Sequence, residues 1–227
     1  EESLTFTIHT SDKVTFPLYL RIPSWVNNPS LIINGKTITA DLVPGKYVRV
    51  ERKWKNGDQV VLNLPMKLSQ SVWLVNQESR SIHYGPLSFS LKIKEDYKKV
   101  SSIETAIGDS KWQKNADPAK WPSYEIYPAS DWNYGLVVDD SQPLEENFEV
   151  IKSAWPSGNQ PFTVETVPLE IKVKGKRLIG WGIDEHGLTA ELPIKENQNF
   201  ESATEEITLI PMGAARLRIT AFPVYRQ

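Results

Sequence analysis

Short runs in which apolar and polar side chains alternate fill most of the first hundred residues. In FPLYLRI (16–22), for example, every second residue from Phe16 to Ile22 is apolar. A period of two is typical of a strand with one buried face, whereas an amphipathic helix needs a period of about 3.6. The Asn-Gly pair at 34–35 suits the positive φ angles of a tight hairpin turn, and a second Asn-Gly, at 56–57, lies between two further runs. The pattern predicts an all-β protein built from antiparallel strands.

The chain of 227 residues is long enough for two domains, and the pattern suggests a break between them. The alternating runs stop at KIKEDYKKVSS (92–102), where charges cluster, and residues 103–134 are irregular, aromatic and interrupted by prolines. Regular short strands with turns between them favour sandwiches. We therefore predict two antiparallel β-sandwich, jelly-roll-like domains, at 1–98 and 99–227, the second opening with the irregular aromatic-rich segment. Helix should be scarce and confined mainly to 101–121.

Three further strands are predicted. Two are SVWLVN (71–76) and PFTVETV (161–167). The third begins at Leu169 and is expected to reach a turn at Gly175, since an isolated glycine often marks a break in a strand.

Composition excludes several classes of partner and of chemistry. The 26 basic and 28 acidic residues give a net charge of -2, which argues against a nucleic-acid-binding surface. No apolar run approaches the roughly 20 residues that cross a bilayer, so we predict no membrane partner. The absence of cysteine excludes disulfides, thiolate metal sites and a cysteine nucleophile within these residues. The cellular location of the parent protein is left open, with the periplasm and secretion as candidates.

No set of residues in the sequence has the spacing of a catalytic or metal site. The three histidines, His9, His83 and His186, lie far apart and lack paired metal-ligand spacing. Asp139 and Asp140 are adjacent, so in a strand their side chains would point to opposite faces and could not act as a pair. We therefore predict no catalytic residue and no metal ligand in this chain.

Aromatic side chains are the strongest candidates for a binding function. Those between 112 and 134 could cover a sandwich core, dock against another domain, or form a platform on which sugars stack. Trp25, which follows a strand ended by Pro23, and Tyr84, in a Tyr-Gly-Pro turn, raise the same question. The candidate carbohydrate-binding or domain-docking residues are Trp112, Trp121, Tyr124, Trp132, Tyr134, Trp25 and Tyr84.

Six segments, in order along the chain, resemble one enzyme family. They are LRIPSW (20–25), ING (33–35), GKYVRVERKWKNGDQVVLNLPM (45–66), YGPLSFSL (84–91), SDWNYGL (130–136) and ITLIPMGAARLRITAFP (207–223). Together they resemble the C-terminal β-sandwich region that follows the catalytic barrel in bacterial β-L-arabinofuranosidase-type glycoside hydrolases. The resemblance implies a parent enzyme with an N-terminal (α/α)6 barrel, whose nucleophile is a cysteine beside a zinc ion.

None of those catalytic residues can be carried over, because this chain has neither cysteine nor the helical pattern of a barrel. The resemblance thus implies no cofactor for this chain, and zinc only for the catalytic domain absent from it. The function it implies is that of a non-catalytic accessory region, which braces the barrel of an enzyme of plant-glycan degradation. Its expected partners are that barrel and arabinose-containing glycans. The alternative is an independent carbohydrate-binding module that uses the Trp112–Tyr134 aromatic cluster.

Overall fold

A computed structural model describes residues 2–100, 117, 120 and 122–226, and in them strands far outnumber helices. The strands are β1 (Ser3–Thr7), β2 (Val14–Arg21), β3 (Ser30–Ile33), β4 (Lys36–Thr37), β5 (Tyr47–Trp54), β6 (Gln59–Asn63), β7 (Leu68–Trp73), β8 (Ser79–Tyr84), β9 (Leu87–Leu91), β10 (Glu95–Val100), β11 (Ser123–Pro128), β12 (Tyr134–Val137), β13 (Phe148–Lys152), β14 (Leu169–Arg177), β15 (Glu205–Pro211) and β16 (Val224–Tyr225). The described helical elements are α1 (Leu144–Asn147) and two 3-10 turns, Lys195–Asn197 and Met212–Ala214. The predicted all-β class is confirmed. The helix predicted for 101–121 lies outside the described residues, of which only 117 and 120 fall in that range.

The chain divides into two compact units. The first comprises residues 1–69 and 83–87, and the second comprises 70–82 and 88–227. The domain boundary predicted at residues 98 and 99 falls within the second of these units, and it stays a prediction until the pieces are folded separately.

The first unit contains a four-stranded sheet in the order β1-β6-β3-β4 and a two-stranded sheet formed by β2 and β5. All pairings in both sheets are antiparallel. The β3–β4 hairpin turns at Asn34 and Gly35, whose φ angles are 51° and 77°. This confirms the hairpin predicted from the first Asn-Gly pair, because both central residues of such a turn need positive φ.

One apolar core joins the two sheets of the first unit. The buried members come from β2, β5, β3, β6 and the segments beside them: Leu20, Ile22, Val26, Leu31, Ile33, Val48, Trp54, Val60, Leu62 and Leu64. Trp54 is fully buried, and its indole N–H donates to the carbonyl of Phe16 (2.9 Å). The alternation predicted for FPLYLRI is confirmed, since Leu20 and Ile22 are buried while Tyr19 and Arg21 are exposed. The first unit is therefore a small two-sheet sandwich.

The second unit is organised around an eight-stranded sheet, in which seven strands follow the order β16-β12-β14-β15-β9-β8-β7 and the eighth, β13, pairs with β14. The long strand β14 pairs with β15 along one edge, and with β13 and β12 in succession along the other. Only the β12–β16 pairing among those described in this sheet is parallel. Strands β10 and β11 form a separate antiparallel ribbon. The jelly-roll-like topology stays a prediction for this unit.

One predicted strand does not form, and two others have different ends from those predicted. The run 161–167 forms turns instead of a strand, with the N–H groups of Thr166 and Val167 bonded to the carbonyl of Thr163 (3.3 and 3.1 Å). Prolines 161 and 168 bracket this run, and proline cannot donate to a sheet ladder. Val164 nevertheless is buried against Ile210 of β15, so the apolar pattern reflects packing under a loop.

The turn predicted at Gly175 is also wrong, because β14 continues through it to Arg177. A Cβ atom at Gly175 would lie only 2.8 Å from Cδ1 of Ile207, so the glycine makes room for a neighbouring strand. The strand predicted over 71–76 ends early, at Trp73, and the apolar residues after it lie in a turn.

Candidate functional site

The described members of the predicted aromatic cluster lie in three separate settings. Trp112 and Trp121 lie outside the described residues. Tyr124 is on the β10–β11 ribbon, Trp132 precedes β12, and Tyr134 begins β12. Each of these three has its own partner, so the roles proposed for them must be considered singly.

The β10–β11 ribbon carries three exposed tyrosines but no flat platform. Tyr97 and Tyr124 meet edge to face, with ring centroids 6.1 Å apart and planes inclined at 76°. In the ribbon register Tyr97 lies opposite Ile126, and Asp96 lies opposite Tyr127. Since neighbouring residues of a strand point to opposite faces, Tyr127 lies on the other side of the ribbon. There Lys98 covers its ring at 4.4 Å.

Trp132 and Tyr134 take part in packing inside the second unit. Trp132 meets the buried Trp181 edge to face, with centroids 5.3 Å apart, and the Trp181 indole N–H donates to the carbonyl of Ala190 (2.9 Å). The hydroxyl of the buried Tyr134 donates to Glu205 (2.9 Å). Burial, together with the hydrogen bond to Glu205, raises the pKa of Tyr134 to about 12. Trp132 and Tyr134 are therefore each bound to a neighbouring residue of the second unit.

The two aromatic candidates of the first unit are also packed. Trp25 is half-buried against the apolar core of the sandwich. Tyr84 is buried, and its hydroxyl donates to Glu2 (3.1 Å). Beside it Gly85 has a φ of 56°, and its N–H donates to the carbonyl of Lys67 (3.0 Å).

A cavity in the second unit has a volume of about 1080 Å³ and is rich in carboxylates. Its acidic lining residues are Asp139, Asp140, Glu146, Glu205 and Glu206, and its basic ones are Lys174 and Arg226. A cavity of this volume could hold a sugar, and a glycosidase needs two carboxyl groups beside the bond that it cleaves. The cavity is therefore the candidate site for such a pair.

The two aspartates of that cavity do not suit acid catalysis. Asp140 accepts two hydrogen bonds from the buried Arg80 guanidinium (2.6 and 2.7 Å), which lower its pKa. Asp139 accepts from the hydroxyl and N–H of Ser141 (2.7 and 2.9 Å), and these bonds lower its pKa too. A glycosidase needs a general acid whose pKa is raised. Both aspartates are instead held as carboxylates by groups of their own unit.

No metal site is formed by the part of the chain that the structure describes. Within it, no three histidine, aspartate or glutamate side chains converge as ligands would. His9 and His186 are exposed, and burial lowers the pKa of the half-buried His83. The described residues therefore do not fit the zinc that the resemblance implies for the catalytic domain.

None of the described helices has the length and apolar character needed to span a membrane.

One feature that sequence reasoning missed is the turn between β7 and β8. Glu78 in this turn binds Lys195 Nζ (2.8 Å) and Arg226 Nη2 (2.7 Å), and these two cations lower its pKa to about 2. The apolar residues 72–75, the last two of β7 and the first two of this turn, are exposed. The available signal was a run of four apolar residues beside Asn76, in which strict alternation fails.

Comparisons with known proteins support the enzyme family of the resemblance but not its C-terminal position. Residues 1–66 match the family model described as the middle domain of the β-L-arabinofuranosidases of glycoside hydrolase family GH127. No curated protein matches the chain.

Three similar solved structures extend the likeness to the whole chain. A GH127 β-L-arabinofuranosidase from Geobacillus stearothermophilus T6 has a TM-score of 0.56 and 18% identity, over 99% of this chain and 29% of its own. A second glycoside hydrolase has a TM-score of 0.54 and 19% identity, over 100% of this chain and 31% of its own. A GH127 β-arabinofuranosidase has a TM-score of 0.55 and 17% identity, over 99% of this chain and 30% of its own. The chain thus spans less than a third of these solved chains, shares their fold in that part, and is similar over residues 1–66 to a GH127 middle domain.

Proposed function

We propose that this chain is a non-catalytic accessory region of a larger β-L-arabinofuranosidase-type glycoside hydrolase, and that it braces the catalytic barrel. The observation that carries the proposal is the coverage: 99–100% of this chain corresponds to only 29–31% of each similar solved chain. In this proposal residues 1–66 are the middle domain and the remainder continues towards the C-terminal end. The catalytic barrel and its zinc lie in the other two thirds.

Two features of the chain support a role without catalysis. The chemistry implied by the resemblance needs a thiolate, and this chain has no cysteine. Asp139 and Asp140, which line the acidic cavity, are poor substitutes, since both have lowered pKa values. An enzyme complete in itself is thus disfavoured on two independent grounds.

Activity and binding assays on the 227-residue chain test the proposal. We expect no hydrolysis of a chromogenic β-L-arabinofuranoside, with or without added zinc. The longer protein, assayed in parallel, should hydrolyse it. Turnover by the short chain that is lost in Asp139→Asn, while the variant keeps its fold by circular dichroism, would overturn the proposal.

The same samples address the alternative of an independent carbohydrate-binding module. Calorimetric titration with arabinan and arabinogalactan fragments should show weak or absent binding, because half a site loses most of the contacts that bury a sugar. Micromolar binding that is abolished by Trp121→Ala or Trp132→Ala would favour the binding module. The separate settings of Tyr124, Trp132 and Tyr134 count against a common platform.

A further inference from the structure

The end of β7 and the turn that joins it to β8 present an exposed apolar tip, residues 72–75. The exposed fractions of Val72, Trp73, Leu74 and Val75 are 46%, 48%, 77% and 95%. Single exposed apolar residues are common on proteins, but four in succession are unusual, and exposed apolar residues that are grouped often mark an interaction surface. We therefore expect a partner to cover the tip.

Hydrogen bonds inside the turn hold the apolar tip in one conformation. The N–H groups of Asn76 and Ser79 donate to the carbonyls of Trp73 and Asn76 (both 3.0 Å), and the Asn76 side chain donates to the Ser79 hydroxyl (2.9 Å). Gln77 and Glu78 follow each other with φ angles of 57° and 55°. Non-glycine residues adopt this region at a cost, and they keep it only where their surroundings hold them there.

Those surroundings are polar bonds on the other side of the turn. Glu78 binds the side chains of Lys195 and Arg226, and the Gln77 side-chain oxygen accepts from the N–H of Lys195 (3.1 Å). The Trp73 indole N–H donates to the Ser81 hydroxyl (2.8 Å). Every polar group named here is thus bonded within the second unit, and the exposed part of the tip is hydrocarbon and ring carbon. Such a surface matches an apolar recess and offers little to a sugar hydroxyl.

The size of the tip decides between two possible occupants. A stable complex between separate molecules buries about 800 Å² and roughly 20–30 residues on each partner, whereas the tip offers four residues. A second copy of the chain would therefore not be held by this surface alone. A segment of the same polypeptide needs much less area, because its effective concentration is in the millimolar range. The similar solved chains carry about 70% of their length outside the part that corresponds to this chain.

We propose that the apolar tip docks into an apolar recess on the remaining part of its own longer polypeptide. This inference rests on the proposed function and names the surface through which the accessory region contacts the rest of the enzyme. The rigid turn reduces the conformational entropy that docking would otherwise cost.

The absence of cysteine from this chain permits a direct test by thiol labelling. Val75→Cys introduces a single thiol at the most exposed position, and Glu149→Cys places a control thiol at an exposed position of β13. Each variant is made both in the 227-residue chain and in the longer protein. Labelling by a maleimide is followed by mass spectrometry of the peptide that contains the new cysteine. Leu74→Cys serves as a second probe of the tip.

In the short chain we expect residues 75 and 149 to react at similar rates. In the longer protein residue 75 should react at least tenfold more slowly, and residue 149 should be unchanged. Equal labelling of residue 75 in both proteins would overturn the docking inference. Protection in the short chain that grows with protein concentration would also overturn it, by making a second copy the occupant. Failure of the proposed function is recognised separately, as a longer protein that hydrolyses no β-L-arabinofuranoside.

Discussion

At the scale of single residues, Arg80 depends on one partially exposed carboxylate. Its side chain is buried, and its two terminal nitrogens bind Asp140, whose side chain is 55% exposed. The Gln70 side-chain oxygen is a further acceptor (3.3 Å), while Nε is buried without a hydrogen-bond partner. Loss of the carboxylate would leave a guanidinium charge in the sheet with little compensation, which is the costly way to break an ion pair.

We therefore expect Asp140→Asn to lower the free energy of unfolding by about 2 kcal/mol, less than for a fully buried pair because Asp140 is half in water. Chemical denaturation measures the change. The neighbouring variant Asp139→Asn is the control and should leave the stability nearly unchanged, since an amide oxygen can still accept from Ser141. The double variant Arg80→Met/Asp140→Asn should recover part of the loss. No recovery would show that the charge is not the cause.

Gly135 offers a second test at this scale, because its surroundings are rigid. A Cβ atom there would lie 2.4 Å from the Phe200 ring and 3.0 Å from the carbonyl oxygen of Pro223. We expect Gly135→Ala to destabilise the protein by about 2 kcal/mol through overpacking. Gly158→Ala, where nothing lies within 4 Å, should change stability little. Equal thermal midpoints for the two variants would contradict this view of β12.

At the scale of elements, the β7–β8 turn should respond to acid. Lys195 and Arg226 depress the pKa of Glu78 from 4.5 to about 2, so the folded state favours the carboxylate. A depressed pKa contributes stability that is complete above the unfolded value and is lost as the pH falls towards the folded value. The stability difference between the natural protein and Glu78→Gln should thus be constant near neutral pH and shrink between about pH 4.5 and 2. Denaturation curves at several pH values measure it.

A matched variant identifies the cause of this acid response. Lys195→Met removes the partner with the larger effect and should move the pKa of Glu78 back towards its ordinary value. The titration is followed on the Glu78 carboxyl carbon by nuclear magnetic resonance. A pKa that stays near 2 in this variant would assign the effect to Arg226 alone.

The elements that could be predicted from sequence are those in which local preference and burial agree. The Asn34-Gly35 hairpin and the alternation from Phe16 to Ile22 are such cases. Prediction failed at Gly175, since its space requirement is set by Ile207, thirty-two positions away in the sequence. It failed at 161–167 because a buried loop can carry the same apolar pattern as a strand. The pairing of Glu78 with Lys195 and Arg226 has no local signature at all.

At the scale of the whole molecule, truncation distinguishes two ways of dividing the chain. Contacts place residues 88–227 in one unit with 70–82, whereas the sequence pattern predicts a boundary at 98 and 99. A piece that begins at residue 99 would lack β9, whose Leu91 and Phe89 pair with Leu209 and Pro211 of β15. Both β9 side chains are almost fully buried.

We expect the piece 70–227 to unfold cooperatively and the piece 99–227 not to do so. Burying two such side chains contributes about 3–6 kcal/mol, which is comparable with the whole stability of many domains. Removing β9 also uncovers the edge of β15, whose free backbone groups would then favour association between copies. Thermal unfolding and light scattering of both pieces measure these outcomes. If the piece 99–227 instead unfolds as a monomer in a sharp transition equal to that of 70–227, the boundary lies at residue 98. That result would mean that β9 contributes little to the stability of the sheet.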